Sequence, residues 1–296
     1  MTQFIELLIN GISLGFVYAL LALGFVIIFK STRVINFAHG SVVLLGAYLI
    51  ATTADDLGFL LAVVLGVVGS AVLAALLYLV ILRHVKGRAA DTVTIATIGL
   101  DILLATELAR RIGQQVLNIG DPWGDSIVRF GSFGVPEARV AAAIIALVLL
   151  GGFMVVFKLS RWGVAMRAAA EDGEAAALMG IRLSRVAAGA WVIAGALAAV
   201  GAIFLTTFPT PGVDRTSGLA AISAFPAAIL GGLDSVVGAV VGALLIGIVV
   251  SMSSGYQDQI TFLGRGLGQV APYVVMVVVL LIRPAGLFGT KELTRV

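Results

Sequence analysis

Long apolar runs broken by short polar stretches dominate the chain from end to end. A segment that crosses a bilayer as a helix needs about 20 mostly apolar residues. By that measure spans are expected at 4–29, 34–54, 59–82, 91–111, 139–158, 186–208, 217–232, 236–253 and 268–283. The pattern predicts an all-α polytopic membrane protein of about nine transmembrane helices, within a range of about eight to ten. Two runs are interrupted. The seventh is short and contains Pro226, so it is expected as a broken or re-entrant piece, and the second opens on INFAHG, as a half-helix would.

Composition supports the membrane reading: 60% of residues are hydrophobic and 12% charged, and the mean hydropathy is +1.12. A soluble domain of this length needs more charge than that to clothe its surface. The 36 glycines suit helices that approach closely in lipid, where small residues rather than water release drive association. With no cysteine in the chain, no disulfide framework is possible. Before the first apolar run there is no Lys or Arg, and no small-residue cleavage site follows it. The first helix is therefore expected to remain in place rather than act as a removable signal.

The basic residues sit in short loops and form no tract, which excludes a nucleic-acid partner and fits the positive-inside bias. Counted along nine spans, that bias puts the N-terminus outside. Lys30, Arg33, Arg83, Lys86, Arg88, Lys158, Arg161, Arg167, Arg182, Arg185, Arg283, Lys291 and Arg295 then face the cytoplasm. A smaller set, Arg110, Arg111, Arg129, Arg139, Arg215 and Arg265, faces outward. Four of these lie at the edges of or within the Gly-, Asp- and Pro-containing stretch 112–138, expected as a structured outer excursion.

Spans one (GISLGFVYALLALGFVIIF) and six (AAGAWVIAGALAAVGAIFL) share a Gly/Ala-rich texture, and each precedes an interrupted segment. Paired interruptions in an inverted repeat are a sequence pointer to a transport pathway. The candidate path residues are Asn36, His39 and Gly40 in the first half, and Pro226, Gly231 and Gly232 in the second. Asn and His offer hydrogen bonds, while Gly permits close backbone approach. A structural role is the more ordinary reading of the first pair: Asn36 as a helix-start cap and His39 bonded to a neighbouring backbone carbonyl. No second His or acid stands near His39, so no metal site is expected. No Ser/His/Asp, paired-carboxylate or HExxH arrangement supports an enzyme, and no GxxxxGK[ST] loop is present to bind ATP.

The stretch 158–185, KLSRWGVAMRAAAEDGEAAALMGIRLSR, is too polar for lipid and too long for a tight connection. Its Ala-rich middle predicts a short helix stopped at Gly180. Glu174, Ala175 and Ala176 followed by Gly180, with Arg167, Glu171 and Asp172 upstream, resemble the cytoplasmic coupling loop of ABC-importer permeases. GFVYALLALGFVIIF…VINFAHGSVVLLGAY at 15–48, AFPAAILGGLDSVVGAVVGALLIG at 224–247 and LLIRPAGLFG at 280–289 are similar to segments of the branched-chain amino acid permeases, in the same order.

The resemblance implies a single transmembrane permease domain over 1–296, of the type II-like ABC importer class, in a bacterial inner membrane. It also implies a second related permease, two cytoplasmic ATPase subunits and an extracytoplasmic substrate-binding protein as partners. ATP and Mg would be used by the ATPases, with no cofactor bound by this chain. Two alternatives stay open: a urea or short-chain amide permease, and an ion-coupled secondary transporter with Asp101 as its ion site. Asp101 and Glu107 depart from the family pattern. At membrane depth Asp101 must be paired inside the bundle or face the path, while Glu107 is expected at the outer interface.

Overall fold

The computed structural model describes residues 2–82, 84, 90–124, 126–130, 133–207, 211–259 and 266–290. Of the basic residues used to orient the chain, Arg83, Lys86, Arg88, Arg265, Lys291 and Arg295 lie outside the described residues.

Each expected apolar run is helical. The helices are α1 (Thr2–Thr32), α2 (His39–Leu57), α3 (Phe59–Leu76, continued by a π turn at Leu77–Leu82), α4 (Ala90–Ile112) and α5 (Glu137–Leu159). They continue with α6 (Arg161–Glu171), α7 (Gly173–Leu178), α8 (Leu183–Leu205), α9 (Ser217–Ile222), α10 (Phe225–Gly231), α11 (Val236–Gly255) and α12 (Leu267–Ile282). Among the described residues, seven are long and apolar enough to cross a membrane: α1 to α5, α8 and α11. The seventh predicted run is broken into α9 and α10, with Pro226 in the first turn of α10, where its missing N–H costs no helical bond. The ninth, α12, is a shorter apolar helix.

Helix α1 is central. In its most apolar window 78% of residues are buried inside the protein, against 17% for α4 and 22% for α5. Glycine makes that centrality possible. A Cβ on Gly11 would lie 2.7 Å from Ile248 Cα, and one on Gly247 would lie 2.4 Å from the Gly11 carbonyl, so α1 and α11 touch backbone to backbone. On the other side of the bundle, a Cβ on Gly195 of α8 would stand 2.5 Å from the Ser70 carbonyl of α3. The outer faces of α3, α4 and α5 instead carry exposed Leu, Ile and Val side chains such as Leu60, Ile102 and Val148, as lipid contact requires.

The expected outer excursion is structured. It contains a two-stranded antiparallel hairpin, Ile127–Phe130 with Phe133–Pro136, and Leu117 pairs with Val213. Trp123 packs edge-on to Phe59 at 5.7 Å and near Phe204 at 5.4 Å. This hairpin lies within the excursion, outside the helical spans. Following α1 from its start near the excursion to its finish at Lys30 and Arg33 defines a second, basic end of the bundle, where α6, α7 and residues 283–290 also gather.

Candidate translocation path and coupling loop

A cavity of about 1090 Å³ lies between the first half of α1, the segment leading into α9, the last turns of α11 and the start of α12. Its walls mix aliphatic side chains (Leu7, Leu14, Leu219, Val250) with polar ones (Asn10, Tyr18, Arg139, Asp214, Ser217, Ser223). These positions place it toward the end opposite the basic one.

Beyond the cavity, toward the basic end, the two interrupted segments meet. Phe25 stands 4.6 Å from His39 and 5.4 Å from Phe225, and Phe37 stands 5.5 Å from Phe225. A Cβ on Gly40 would come within 3.0 Å of the Gly218 carbonyl, so the start of α2 lies directly against α9. One side of α9 thus faces the cavity through Ser217 and Ala220, while its other side closes on α2.

None of Asn36, His39, Gly40, Asp101, Pro226, Gly231 or Gly232 is among the residues that line this cavity. Asn36, His39 and Gly40 are buried at the start of α2. Asn36 Oδ1 accepts from the Ala38 N–H at 3.1 Å, an Asx turn that shapes the bend before the helix. The His39 ring fills the space left by Gly24, where a Cβ would lie 2.6 Å from Cε1. Asp101, on α4, is paired: its Oδ1 accepts the Ser41 hydroxyl at 2.6 Å and the Ser41 N–H at 3.3 Å. One turn earlier, Thr97 Oγ1 accepts the Phe37 N–H at 3.1 Å. Side chains of α4 therefore take up backbone donors at the start of α2 that have no helical acceptor. Glu107 is tied to Arg110 at 2.8 Å and Arg111 at 2.6 Å near the outer end of α4.

Pro226, Gly231 and Gly232 belong to a tight junction at the basic end. A Cβ on Gly231 would fall 2.0 Å from the Gly238 carbonyl. Gly232 has φ +107° and lies against Gly289 of the C-terminal segment. That segment satisfies carbonyls at the end of the short α10: Leu287 N–H bonds Leu230 O at 2.8 Å and Phe288 N–H bonds Gly231 O at 3.0 Å.

The loop at 158–185 is two helices rather than the single one expected. Asp172 separates them because its Oδ1 accepts from the Glu174 and Ala175 N–H groups at 3.0 and 2.9 Å, a cap that outweighs the helix propensity of the alanines around it. Gly180 stops α7 as expected. With φ +86°, it lets Ile181 N–H bond Ala176 O and its own N–H bond Ala177 O, the paired bonds of a Schellman stop. Arg167 holds the loop to α5, donating to the Phe157 and Lys158 carbonyls with its guanidinium 5.3 Å over the Phe157 ring. Arg33 reaches from the end of α1 to the Ala170 carbonyl at 2.8 Å. Ala176 is buried, Glu171, Glu174 and Ala175 are exposed, and the tip presents Leu178 and Met179 at 88% and 84% exposure.

Sequence reasoning missed the cavity's polar lining. Asn10 and Tyr18 in α1 are lone polar positions in an apolar run, Ser251 and Ser254 belong to the SMSS stretch in the last turns of α11, and only packing brings them together. Asp214 had a local signal, since DRTS directly precedes α9. Its Oδ1 accepts the Thr216 N–H and hydroxyl at 2.8 Å each and the Ser217 hydroxyl at 2.9 Å. Burial works against the charged form, but these hydrogen bonds win and hold the carboxyl below its ordinary range.

A bundle of apolar spans with two broken segments closing one end of a polar-lined cavity, and a capped two-helix loop at its basic end, is an integral-membrane permease. The chain belongs to the family described as the branched-chain amino acid transport system permease component, which matches residues 7–282. It is 31% identical over 309 aligned residues to the high-affinity branched-chain amino acid transport system permease protein LivH of Escherichia coli (strain K12), covering 99% of this chain and 98% of that one. It is 30% identical to the corresponding permease protein BraD of Pseudomonas aeruginosa, covering 99% and 98%.

Proposed function

We propose that this chain is the permease subunit of an ATP-driven importer in the inner membrane, moving branched-chain or related aliphatic amino acids. A second, related permease completes the membrane part, two cytoplasmic ATPases drive it, and an extracytoplasmic binding protein delivers the substrate. Full-length likeness to permeases named for this transport carries the reading. The geometry is in keeping with it: the cavity lies at the end where a binding protein would dock, and the basic end, with α6 and α7, takes the cytoplasmic side under the positive-inside bias.

In this reading the cavity is the outward half of the path, and α9, α10 and the start of α2 form its inner closure. Asn36, His39, Gly40, Pro226, Gly231 and Gly232 then belong to that closure rather than to a deep binding pocket, and Asp101 pins the start of α2. The exposed Leu178–Met179 tip is the contact offered to an ATPase, with Asp172, Glu174, Ala175, Ala176 and Gly180 fixing its shape. Arg167 and Glu171 belong to the arm that carries the tip.

The test is reconstitution. With both permeases, the ATPases and the binding protein in liposomes, leucine uptake should require ATP and the binding protein. Uptake by this chain alone, driven by an ion gradient without ATP, would overturn the reading. Uptake of urea or acetamide in place of leucine would move the chain to the amide branch.

A further inference from the structure

Arg167 fastens α6 to α5, and Arg33 fastens it to α1. A third attachment, to α8, runs through Trp162 in the first turn of α6. Its indole N–H donates to the Val186 carbonyl of α8 at 3.3 Å. The same ring fills the notch that Gly189 leaves one turn further along α8, where a Cβ would lie 2.6 Å from Nε1 and 3.3 Å from Cδ1. A tryptophan near a membrane boundary ordinarily turns its ring into the headgroup layer. This one is partly buried and spends its N–H on protein backbone, so it works as a peg between two helices rather than as a lipid anchor.

Beyond the notch, α8 lies tight against the elements that lead to the broken segments. Ala199 stands where a side chain on Gly46 of α2 would fall, its Cβ 2.8 Å from that position, and a Cβ on Gly201 would lie 2.6 Å from Leu21 of α1. The start of α2 then meets α9 at Gly40 and Gly218. Close-packed elements pass on a displacement rather than absorb it.

We propose that Trp162 is a positioning residue for coupling: seated over Gly189, it makes α6 and α8 move as one body, so that movement of the loop reaches the start of α2 through α8. The proposal rests on the importer reading and adds to it the side chain that carries the movement across. It is distinct from the Arg33 contact, which leads to α1.

The test uses the whole reconstituted importer, with leucine uptake and ATP hydrolysis measured on the same liposomes. Unfolded protein does neither, so the ratio of the two reports coupling rather than the amount folded. Trp162→Ala should retain ATP hydrolysis and lower the ratio of uptake to ATP hydrolysed about fivefold or more, the lower end of coupling between sites. Trp162→Phe still fills the notch and should keep most of the ratio. Gly189→Ala presses on the edge of a side chain that can swing aside, so it should fold, dislodge the indole and lower the ratio. In the Trp162→Ala background the same substitution meets no ring and should lower the ratio further by less than about twofold. Gly151→Ala in α5, with nothing within 4 Å of its Cβ, is the control and should leave the ratio unchanged. Effects of Trp162→Ala and Gly189→Ala that simply multiply, or uptake and hydrolysis that fall in parallel, overturn the proposal. Absence of ATP-driven uptake by the unmutated importer would count against the importer reading, while full coupling in Trp162→Ala would count against the peg alone.

Discussion

The bond between Asp101 and Ser41 tests whether an acid at membrane depth serves structure or ion coupling. Ser41 lies in the first turn of α2, where backbone N–H groups have no helical acceptor, and Asp101 supplies one from a different helix. The Ser41 hydroxyl bond at 2.6 Å is at the short end for O–H···O contacts. Interhelical hydrogen bonds in membranes average about 0.6 kcal/mol and reach about 1.7. Two bonds sharing one acceptor, one of them short, place this pair near the upper figure. Asp101→Leu should therefore cost about 2 kcal/mol, because it also removes the side-chain acceptor of the Ser41 N–H and leaves the Ser41 hydroxyl only the Asp101 backbone carbonyl at 3.1 Å. Ser41→Ala should cost about 1 kcal/mol, and the double variant about 1 kcal/mol less than the sum of the two. Asp101→Asn keeps an acceptor and should cost under about 1 kcal/mol. The assay is thermal or denaturant unfolding of the assembled permease in lipid nanodiscs, run as a double-mutant cycle. Additivity of the two single substitutions to within about 0.3 kcal/mol would refute the pairing. In the same preparations Asp101→Asn should leave uptake ATP-driven and independent of proton or sodium gradients; a gradient dependence lost on that substitution would restore the ion-coupled reading.

Gly231→Ala should destabilise by about 3 kcal/mol, because the new Cβ would lie 2.0 Å from the backbone carbonyl of Gly238, which cannot swing aside as a side chain would. Gly99→Ala in α4 is the matched control, with nothing within 4 Å of its Cβ, and should be neutral or stabilising by about 0.5 kcal/mol in the same unfolding assay. Leu178→Ser with Met179→Ser should leave stability unchanged, since both side chains are almost fully exposed, while abolishing most ATP-driven uptake; full uptake would remove the tip from the ATPase contact. Asp172→Ala should cost about 1 kcal/mol through loss of the α7 cap and lower the ratio of uptake to ATP hydrolysed. For Asp214 the folded carboxyl titrates below its unfolded value, so its contribution to stability is present above an unfolded pKa of about 3.9 and disappears as pH falls through the lower folded value. The difference in melting temperature between the unmutated chain and Asp214→Asn should hold from pH 7 to 5 and shrink only below about pH 4; shrinkage already between pH 7 and 5 would show that the sign or the group is wrong.

Helix positions were legible because each span needs a run of apolar residues of fixed length, and the bilayer enforces that run whatever the neighbours do. Pro226 announced the broken seventh run for a similarly local reason, as Gly180 announced the end of α7. Asp172 was misread because an acid amid alanines is compatible with a helix interior. It caps a new helix only because its own backbone turns to an extended conformation (φ −146°), a choice the local pattern does not reveal. The cavity was illegible for a deeper reason. Asn10, Arg139, Asp214 and Ser251 lie on four separate stretches of chain, and each alone looks like a tolerated polar residue. Breaks in helices located where the chain turns back, which is where the proposed closure sits, but not where the wall lies open.

In the importer reading proposed above, the contacts at the basic end bear on how movement of α6 and α7 would reach the proposed closure. α10 has seven residues, too few to satisfy its final carbonyls internally, so Leu230 and Gly231 depend on the backbone of Leu287 and Phe288. The segment carrying those donors is held in turn by Asp234, whose Oδ2 accepts from the Thr290 N–H at 3.0 Å. The Asp234 carbonyl accepts from Lys30 on α1 at 2.8 Å. Three residues on, Arg33 sits at φ +56°, a conformation disfavoured for a residue with a side chain, and bonds the Ala170 carbonyl of α6. A displacement of α6 therefore either breaks the Arg33 bond or pulls on the end of α1. Because α1 is buried along most of its length against α8 and α11, close packing resists bending it locally and favours moving it together with the junction it shares with α10. Phe25, one turn above Lys30, touches both His39 and Phe225, so the same shift is applied where the two broken segments meet.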